Sequence, residues 1–261
     1  MHTKIKGLMF GVVIVLSIVV ITGAFAQEDK RGIVTFADGQ VKRNPAASEQ
    51  WLTADVNTQV LGGDKVRTYR QSRAELDLAS LDIIRLAPRT IIDIIKLYEE
   101  TKDNKLKTSI HIEEGELWAS VHEIDVDTDF DISAPVAAAA ITGTVLRMKV
   151  ESDSTTQLKV YKGEVQISKK AEGLTKPVEN KSLAPKQVPG PTQVQGPREV
   201  TVDEWVKIVK AMQQITIDKK GQILSYSGFS PMDPDENDDW VQWNHRLDNR
   251  RLERIKELME K

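Results

Sequence analysis

The 261-residue sequence contains no cysteine. That excludes disulfides, thiolate metal sites, cysteine nucleophiles and attachment to a lipid through an N-terminal cysteine. Histidine is scarce too: His2, His111, His122 and His245 are the only four, and no two are spaced to share a helix face as ligands. A Gly-x-Ser-x-Gly elbow, a His-Glu-x-x-His pair and a Gly-rich phosphate loop are all missing. Positive charge is not in excess either, with 36 Lys and Arg against 39 Asp and Glu. No basic stripe offers itself to a nucleic-acid backbone, so no nucleic-acid partner is expected. These absences leave no catalytic, cofactor-binding or metal-binding residue to assign. The scattered carboxylates single out no glycosidase pair, so an enzyme is not expected, and a carbohydrate-binding or carbohydrate-active protein stays a minor alternative.

What is present begins with an export signal. Lys4 and Lys6 precede an uncharged run that reaches Glu28, apolar from Leu8 to Ile21 and ending in Ala24-Phe25-Ala26. A basic start, an apolar middle and a small-x-small end are what a signal peptidase recognises, with cleavage after Ala26. The alternative is an uncleaved anchor, since the run is about as long as the ~20 residues that span a bilayer. Membrane contact is expected only through this segment, and in either case the rest of the chain lies outside the cytoplasm, periplasmic or otherwise exported. Without Lys4 and Lys6 the chain carries 34 basic against 39 acidic side chains.

From Gly32 to Ser168 apolar and polar residues alternate with the period of a half-buried strand. Ala74, Leu76 and Leu78 alternate with Glu75 and Asp77, and Ile110 and Ile112 flank His111. Leu117, Ala119 and Val121 are spaced by Trp118 and Ser120, Leu146, Met148 and Val150 by Arg147 and Lys149, and Leu158 and Val160 precede Lys159 and Tyr161 in the same alternation. No amphipathic helix interrupts the series, so residues 32–168 are expected to be all-β, either solenoid-like or a sandwich. Asp38-Gly39-Gln40-Val41, Glu114-Gly115-Glu116-Leu117 and Lys162-Gly163-Glu164-Val165 repeat one pattern whose glycine suits the positive φ of a tight hairpin turn.

Residues 169–198 lose this periodicity and gather five prolines and three glycines, the composition of an extended linker. The C-terminal segment, 199–261, is expected to be helical. Thr201-Val202-Asp203-Glu204 forms a capping box for a helix running to about Gln214, with Trp205, Val209 and Met212 on one face. A second helix is expected from near Trp240. Trp240, Trp243 and Leu247 share a face, the stripe slips at Arg250 and Arg251, and it resumes with Leu252, Ile255 and Met259. The first half is expected to dock. The second is expected to be an amphipathic tail, dispensable for stability beyond Leu247, that either receives an acidic partner or stays inert.

Two acidic runs resemble ion sites. Asp125, Asp127, Asp129 and Asp131 alternate, which suits a solvated strand edge better than a calcium array. Asp233-x-Asp235-x-Asn237 opens like a calcium loop, but Asp238 stands where a turn glycine belongs and Asn244 where the closing acid belongs. Those acids are expected to precede and cap the last helix.

Taken in order, several pieces resemble the FecR family. They are Gly32-Ile33-Val34, Asp38-Gly39-Gln40-Val41, Trp51-Leu52, Gly63-Asp64-Lys65-Val66-Arg67-Thr68, Arg73-Ala74-Glu75-Leu76 and Glu114-Gly115-Glu116-Leu117. The most specific is Phe130-Asp131-Ile132-Ser133-Ala134-Pro135 leading into Ile141-Thr142-Gly143-Thr144-Val145-Leu146-Arg147-Met148, closed by Val160-Tyr161-Lys162-Gly163-Glu164-Val165. Within it Gly143 is expected to bend the chain before a new strand begins at Thr144. The resemblance implies a periplasmic all-β module of bacterial envelopes. Founding members of that family are single-pass inner-membrane proteins that carry an iron-siderophore signal to a cytoplasmic sigma factor. Six residues before the apolar run are too few to fold into a sigma-factor grip, so the expectation is a non-catalytic module that binds an envelope protein, with the sensor role second.

Overall fold

The computed structural model describes residues 31–78, 82–103, 105–122, 128–170 and 205–259. The export segment, Asp125, Asp127, the Pro- and Gly-rich stretch from residue 171 and the capping box Thr201 to Glu204 lie outside the described residues. No helix among the described residues is long and apolar enough to cross a membrane.

The protein is mostly β, as its alternation requires. Its strands are β1 (Gly32–Asp38), β2 (Val41–Asn44), β3 (Leu52–Thr53), β4 (Gln59–Val60), β5 (Lys65–Thr68) and β6 (Arg73–Leu78). There follow β7 (Asp82–Leu86), β8 (Ile91–Glu100), β9 (Leu106–Ser120), β10 (Thr128–Ser133), β11 (Ala137–Val150) and β12 (Thr156–Lys169). The last are β13 (Val206–Lys210), β14 (Gln213–Ile217) and β15 (Ile223–Gly228), and a 3-10 turn at Pro234–Asn237 leads into the helix α1 (Asp239–Met259). All strands join one sheet, ordered β15-β14-β12-β11-β10-β9-β7-β6-β1-β4 along its main path. The first part of β9 pairs with β10 in parallel and with β8 antiparallel, and its last part pairs with β7 and β11. Strands from β1 to β14 send side chains such as Val34, Leu76, Ile92, Ile110, Leu146, Val165 and Ile215 into one large buried cluster, and Ala87, Trp118, Trp240 and Val241 form a second, smaller one.

Three expectations need correction. Gly39 does sit in a turn between strands, but Gly115 and Gly163 lie inside β9 and β12. The positive φ is there, at +101° and +80°, yet it serves a bend and not a hairpin. A Cβ on Gly115 would stand 2.5 Å from Thr90 Cα, and one on Gly163 2.8 Å from the carbonyl oxygen of Gly143. Gly143, with φ +61°, likewise bends β11, which continues through it; no new strand starts at Thr144. The register between β11 and β12 shifts at this level, as a bulge requires.

The helix expected up to Gln214 is absent over its described part. Residues 206–210 and 213–217 are strands, both antiparallel to β12. Val206, Ile208, Val209, Ile215, Thr216 and Ile217 are β-branched, and the edge of β12 supplies backbone partners that outweigh a three-residue helical stripe. Trp205 still docks, its indole donating to the carbonyl of Gly221 at 2.8 Å, and Val209 is fully buried.

Candidate functional site

Strand alternation that sends aliphatic residues inward sends Glu75, Arg85, Trp118, Arg147, Lys159 and Tyr161 to the opposite face of the sheet. Pairing registers then place Glu75, Arg85, Trp118, Arg147, Lys159 and Gln214 directly opposite one another in a single row across β6, β7, β9, β11, β12 and β14. On sequence alone this is a solvated face. In the folded chain Trp118 is 0%, Arg85 and Lys159 each 1% and Arg147 7% exposed, because α1 and the turn before it lie across the row.

Cross-strand neighbours of like charge, such as Arg147 and Lys159, repel unless something neutralises them. The C-terminal segment does so. Lys159 Nζ lies 2.6 Å from Asp235 Oδ2 and 2.8 Å from Glu236 Oε1, while Arg147 pairs with Glu116 at 2.6 Å and reaches Asp235 at 3.5 Å. Arg85 pairs with Glu75 and with Asp248, each at 2.7 Å. The second carboxylate oxygen of Asp248 accepts the indole N–H of Trp118 at 2.9 Å. Around these contacts Trp118 stacks on Tyr161 with centroids 4.5 Å apart, and His245 meets both rings edge-on at 5.0 Å. Trp243 packs on Phe36, and Arg73 lies over Trp243 while binding Asp239 at 2.6 Å.

The electrostatics follow from this geometry. Burial pushes the carboxyl of Asp235 upward, but the hydrogen bond and charge of Lys159 outweigh it and hold the group below its ordinary value. Burial alone would weaken the Arg147 cation; Glu116 more than compensates, so the guanidinium stays charged. The Tyr161 phenol is raised by burial and by Glu236 and stays neutral.

Within Asp233-x-Asp235-x-Asn237, Asp235 therefore acts as a counterion to buried cations, while Asp233 Oδ2 accepts the Ser230 N–H at 3.0 Å. Helix capping falls to Asp238, whose side chain accepts the Trp240 N–H at 2.8 Å. Of the other acidic run, Asp131 pairs with Lys107 at 2.7 Å and Asp129 with Lys105 at 3.6 Å across the parallel strands. Among the described residues no three acids or histidines gather closely enough to hold a metal ion. His111, which alternation with Ile110 and Ile112 puts on the polar face of its strand, is half-buried in a second row, Lys65, Asp93, His111 and Ser133, with its Nδ1 3.0 Å from Ser133 Oγ. Desolvation first, and the charge of Lys170 second, lower its pKa to about 4. A histidine that weakly basic is not tuned for general-base chemistry near neutrality.

The expected division of the last helix at Leu247 also changes. α1 is continuous to Met259, and Asp248, just past Leu247, carries the contacts to Arg85 and Trp118. Beyond it Arg250, Leu252, Glu253, Arg254, Lys256 and Glu257 are exposed. An open cleft of about 460 Å³ lies between Arg250 and Arg254 on the helix and Glu75 and Asp77 on the sheet.

The family model described as FecR protein matches residues 64–166, so the chain carries a FecR domain within the stretch that the motifs single out. No curated protein matches the chain. Two crystal structures of a candidate anti-sigma factor from Parabacteroides distasonis ATCC 8503 are similar to it, each with a TM-score of 0.43 and 14% identity. Each match covers 63% of this chain and 59% of the other, so the chain spans about three-fifths of those proteins. The buried row from Glu75 to Lys159 lies inside the FecR match, and the segment that covers it lies outside.

Proposed function

We propose that this chain is an exported, non-catalytic module of the bacterial cell envelope that works by binding another protein. The observation that carries this reading is the division of labour in α1. Its first half is spent on the sheet, while its second half projects Arg250, Arg254 and Lys256 beside Glu253 and Glu257, anchored at Asp248. A rigidly rooted, mainly basic helix suits an acidic protein surface. Crosslinking in intact cells followed by recovery of the chain tests it. Arg250→Glu with Arg254→Glu should abolish a partner that the parent protein recovers, with folding unchanged, and undiminished recovery would overturn the assignment to this helix.

The FecR match favours a second reading, a regulator in an envelope signalling pathway. It requires that deleting the protein alter expression of a defined set of genes, whereas a scaffold requires only loss of the partner from its complex. Export is proposed to proceed with cleavage after Ala26. Protein purified from the envelope should begin at Gln27, and an intact Met1 in the membrane fraction would make the segment an anchor.

A further inference from the structure

We propose that β13, β15 and the turn before β15 form a face that docks on an anionic phospholipid membrane surface. Val206, Ile208, Leu224 and Tyr226 are 57%, 51%, 63% and 44% exposed, and contacts between the two strands hold them together. Val206 and Ile208 lie two apart on β13 and so share its outward side, while Val209 is fully buried on the other. The Tyr226 hydroxyl donates to the carbonyl of Ile208 at 2.9 Å. At the other end of β13 the Trp205 indole donates to the carbonyl of Gly221 at 2.8 Å. Leu224 lies on β15 between those two ties. There the register of β15 on β14 shifts: Thr216 pairs with Ser225 and Ile217 with Ile223, so Leu224 is the extra residue of a bulge. A bulge re-aims a side chain and guards an edge against a further strand. The exposed leucine therefore suits a partner that needs no backbone pairing.

Positive charge surrounds this apolar patch. Residues 205–228 contain Lys207, Lys210, Lys219 and Lys220 against the single acid Asp218, and no arginine. All four lysines are exposed. Asp218 is turned back on its own turn, its Oδ1 accepting the N–H groups of Lys220 and Gln222 at 2.9 and 2.8 Å. Lys169 adds a fifth cation beside the turn, its Cε 2.8 Å from where a Cβ on Gly221 would stand. Two acids border the face. Glu164 stands opposite Lys210 in the ladder, and Asp153, held below its ordinary value first by the Thr155 N–H, also feels the charge of Lys219. Five lysines against these three acids leave the face positive. The choice of lysine decides between the two partners that an apolar, basic face could take. Protein interfaces favour arginine, whose planar fork grips carboxylates, and are depleted of lysine. A lysine stem lies along apolar surface while its ammonium stays in water, which is the arrangement at a membrane interface. Among the described residues β13 pairs with β12 alone, so its outer edge keeps backbone groups that must stay hydrated. Contact is therefore at headgroup depth, with only side chains reaching the acyl boundary. No residue of this face belongs to α1, so this docking and the acidic-partner reading stand or fall separately.

The chain has no cysteine, so a single introduced thiol can carry a polarity-sensitive fluorophore. Full-length Ile208→Cys labelled in this way should brighten and shift to the blue on vesicles of phosphatidylglycerol and phosphatidylcholine in equal parts. Asp55→Cys, exposed on the loop before β4 at the far end of the sheet path, should not respond. Vesicles of phosphatidylcholine alone should leave both labels unchanged. In the labelled Ile208→Cys chain, Lys219→Gln with Lys220→Gln should raise the lipid needed for half the response roughly tenfold or more, each lysine near an anionic surface being worth roughly fivefold. Val206→Ser with Leu224→Ser leaves the charge unchanged and should weaken binding by a similar factor through lost apolar contact. All four positions are exposed, so each variant should keep the parent's circular dichroism. No response at Ile208→Cys, an equal response at Asp55→Cys or on uncharged vesicles, or binding indifferent to either double variant would each overturn the proposal. A label that responds to lipid-free envelope protein and not to vesicles would assign the face to a protein and overturn the membrane docking.

Discussion

Asp248 ties the C-terminal helix to the FecR domain through two donors 163 and 130 residues away in sequence, Arg85 and Trp118. Replacing it with alanine leaves an indole N–H buried without an acceptor, at a cost of about 1–3 kcal/mol. It also strips one of two carboxylates from an arginine that is 1% exposed. Breaking a buried pair outright costs about 3–5 kcal/mol, but Glu75 remains on Arg85 at 2.7 Å, so only a fraction of that applies. The expected loss is about 3 kcal/mol, or roughly 6–12 °C in melting temperature for a chain of this size. Urea unfolding followed by tryptophan fluorescence reads it directly, since Trp118, Trp240 and Trp243 all border the contact. Asp248→Asn keeps an acceptor and should lose about half as much. Arg85→Met combined with Asp248→Leu removes both charges and should recover most of the stability, because desolvation of the pair is then no longer paid. A loss below about 1 kcal/mol in Asp248→Ala, or a double variant no better than the single one, would refute the clasp.

Gly115→Ala should destabilise by about 1–3 kcal/mol for the left-handed backbone alone, with the contact at Thr90 adding to it, whereas Gly62→Ala, whose Cβ would meet its nearest atom at 3.5 Å, should fold normally; thermal melts of the two compare them. Truncation after Leu252 should leave the melting temperature nearly unchanged, while truncation after Leu247 should lower it as Asp248→Ala does, and equal melts would show that Asp248 bears no load. His111 should stay neutral until about pH 4 in an NMR titration, against 6.5 for an unburied imidazole. The unfolded chain binds that proton first, so stability should fall as pH drops from 6.5 toward 4 and level off below it. His111→Gln should flatten that part of the profile, and an unchanged slope would assign it to other groups.

Much of the fold is legible one residue at a time. Alternation of Ala74, Leu76 and Leu78, or of Ile110 and Ile112, fixes which side chains face inward, because a strand's two faces repeat every second residue wherever the strand lies. Gly115, Gly143 and Gly163 announce a positive φ for an equally local reason. Whether that conformation closes a hairpin or bends a long strand depends on the neighbouring strand, and local sequence does not contain the neighbour. Trp205, Val209 and Met212 mislead in the same way: their spacing suits a helix, and the open edge of β12 makes the segment a strand.

The candidate site was the least legible part. Arg85, Trp118, Arg147 and Lys159 each look like an outward residue on a half-solvated strand, and the acids from Asp235 to Asp248 look like caps and helix surface. The signal in hindsight is a set of basic and aromatic residues on the outer face matched by carboxylates and tryptophans after residue 232. By itself the sequence determined the all-β class, the inward faces, the FecR segment and the helix at the C-terminus, because each rests on local periodicity or on motifs in order. Only the tertiary structure decided that four strands hold Arg85, Trp118, Arg147 and Lys159 in one row and that α1 buries it. Register between strands far apart in sequence is set by backbone pairing over the whole sheet, and the buried charges become tolerable only once their counterions arrive from the other end of the chain.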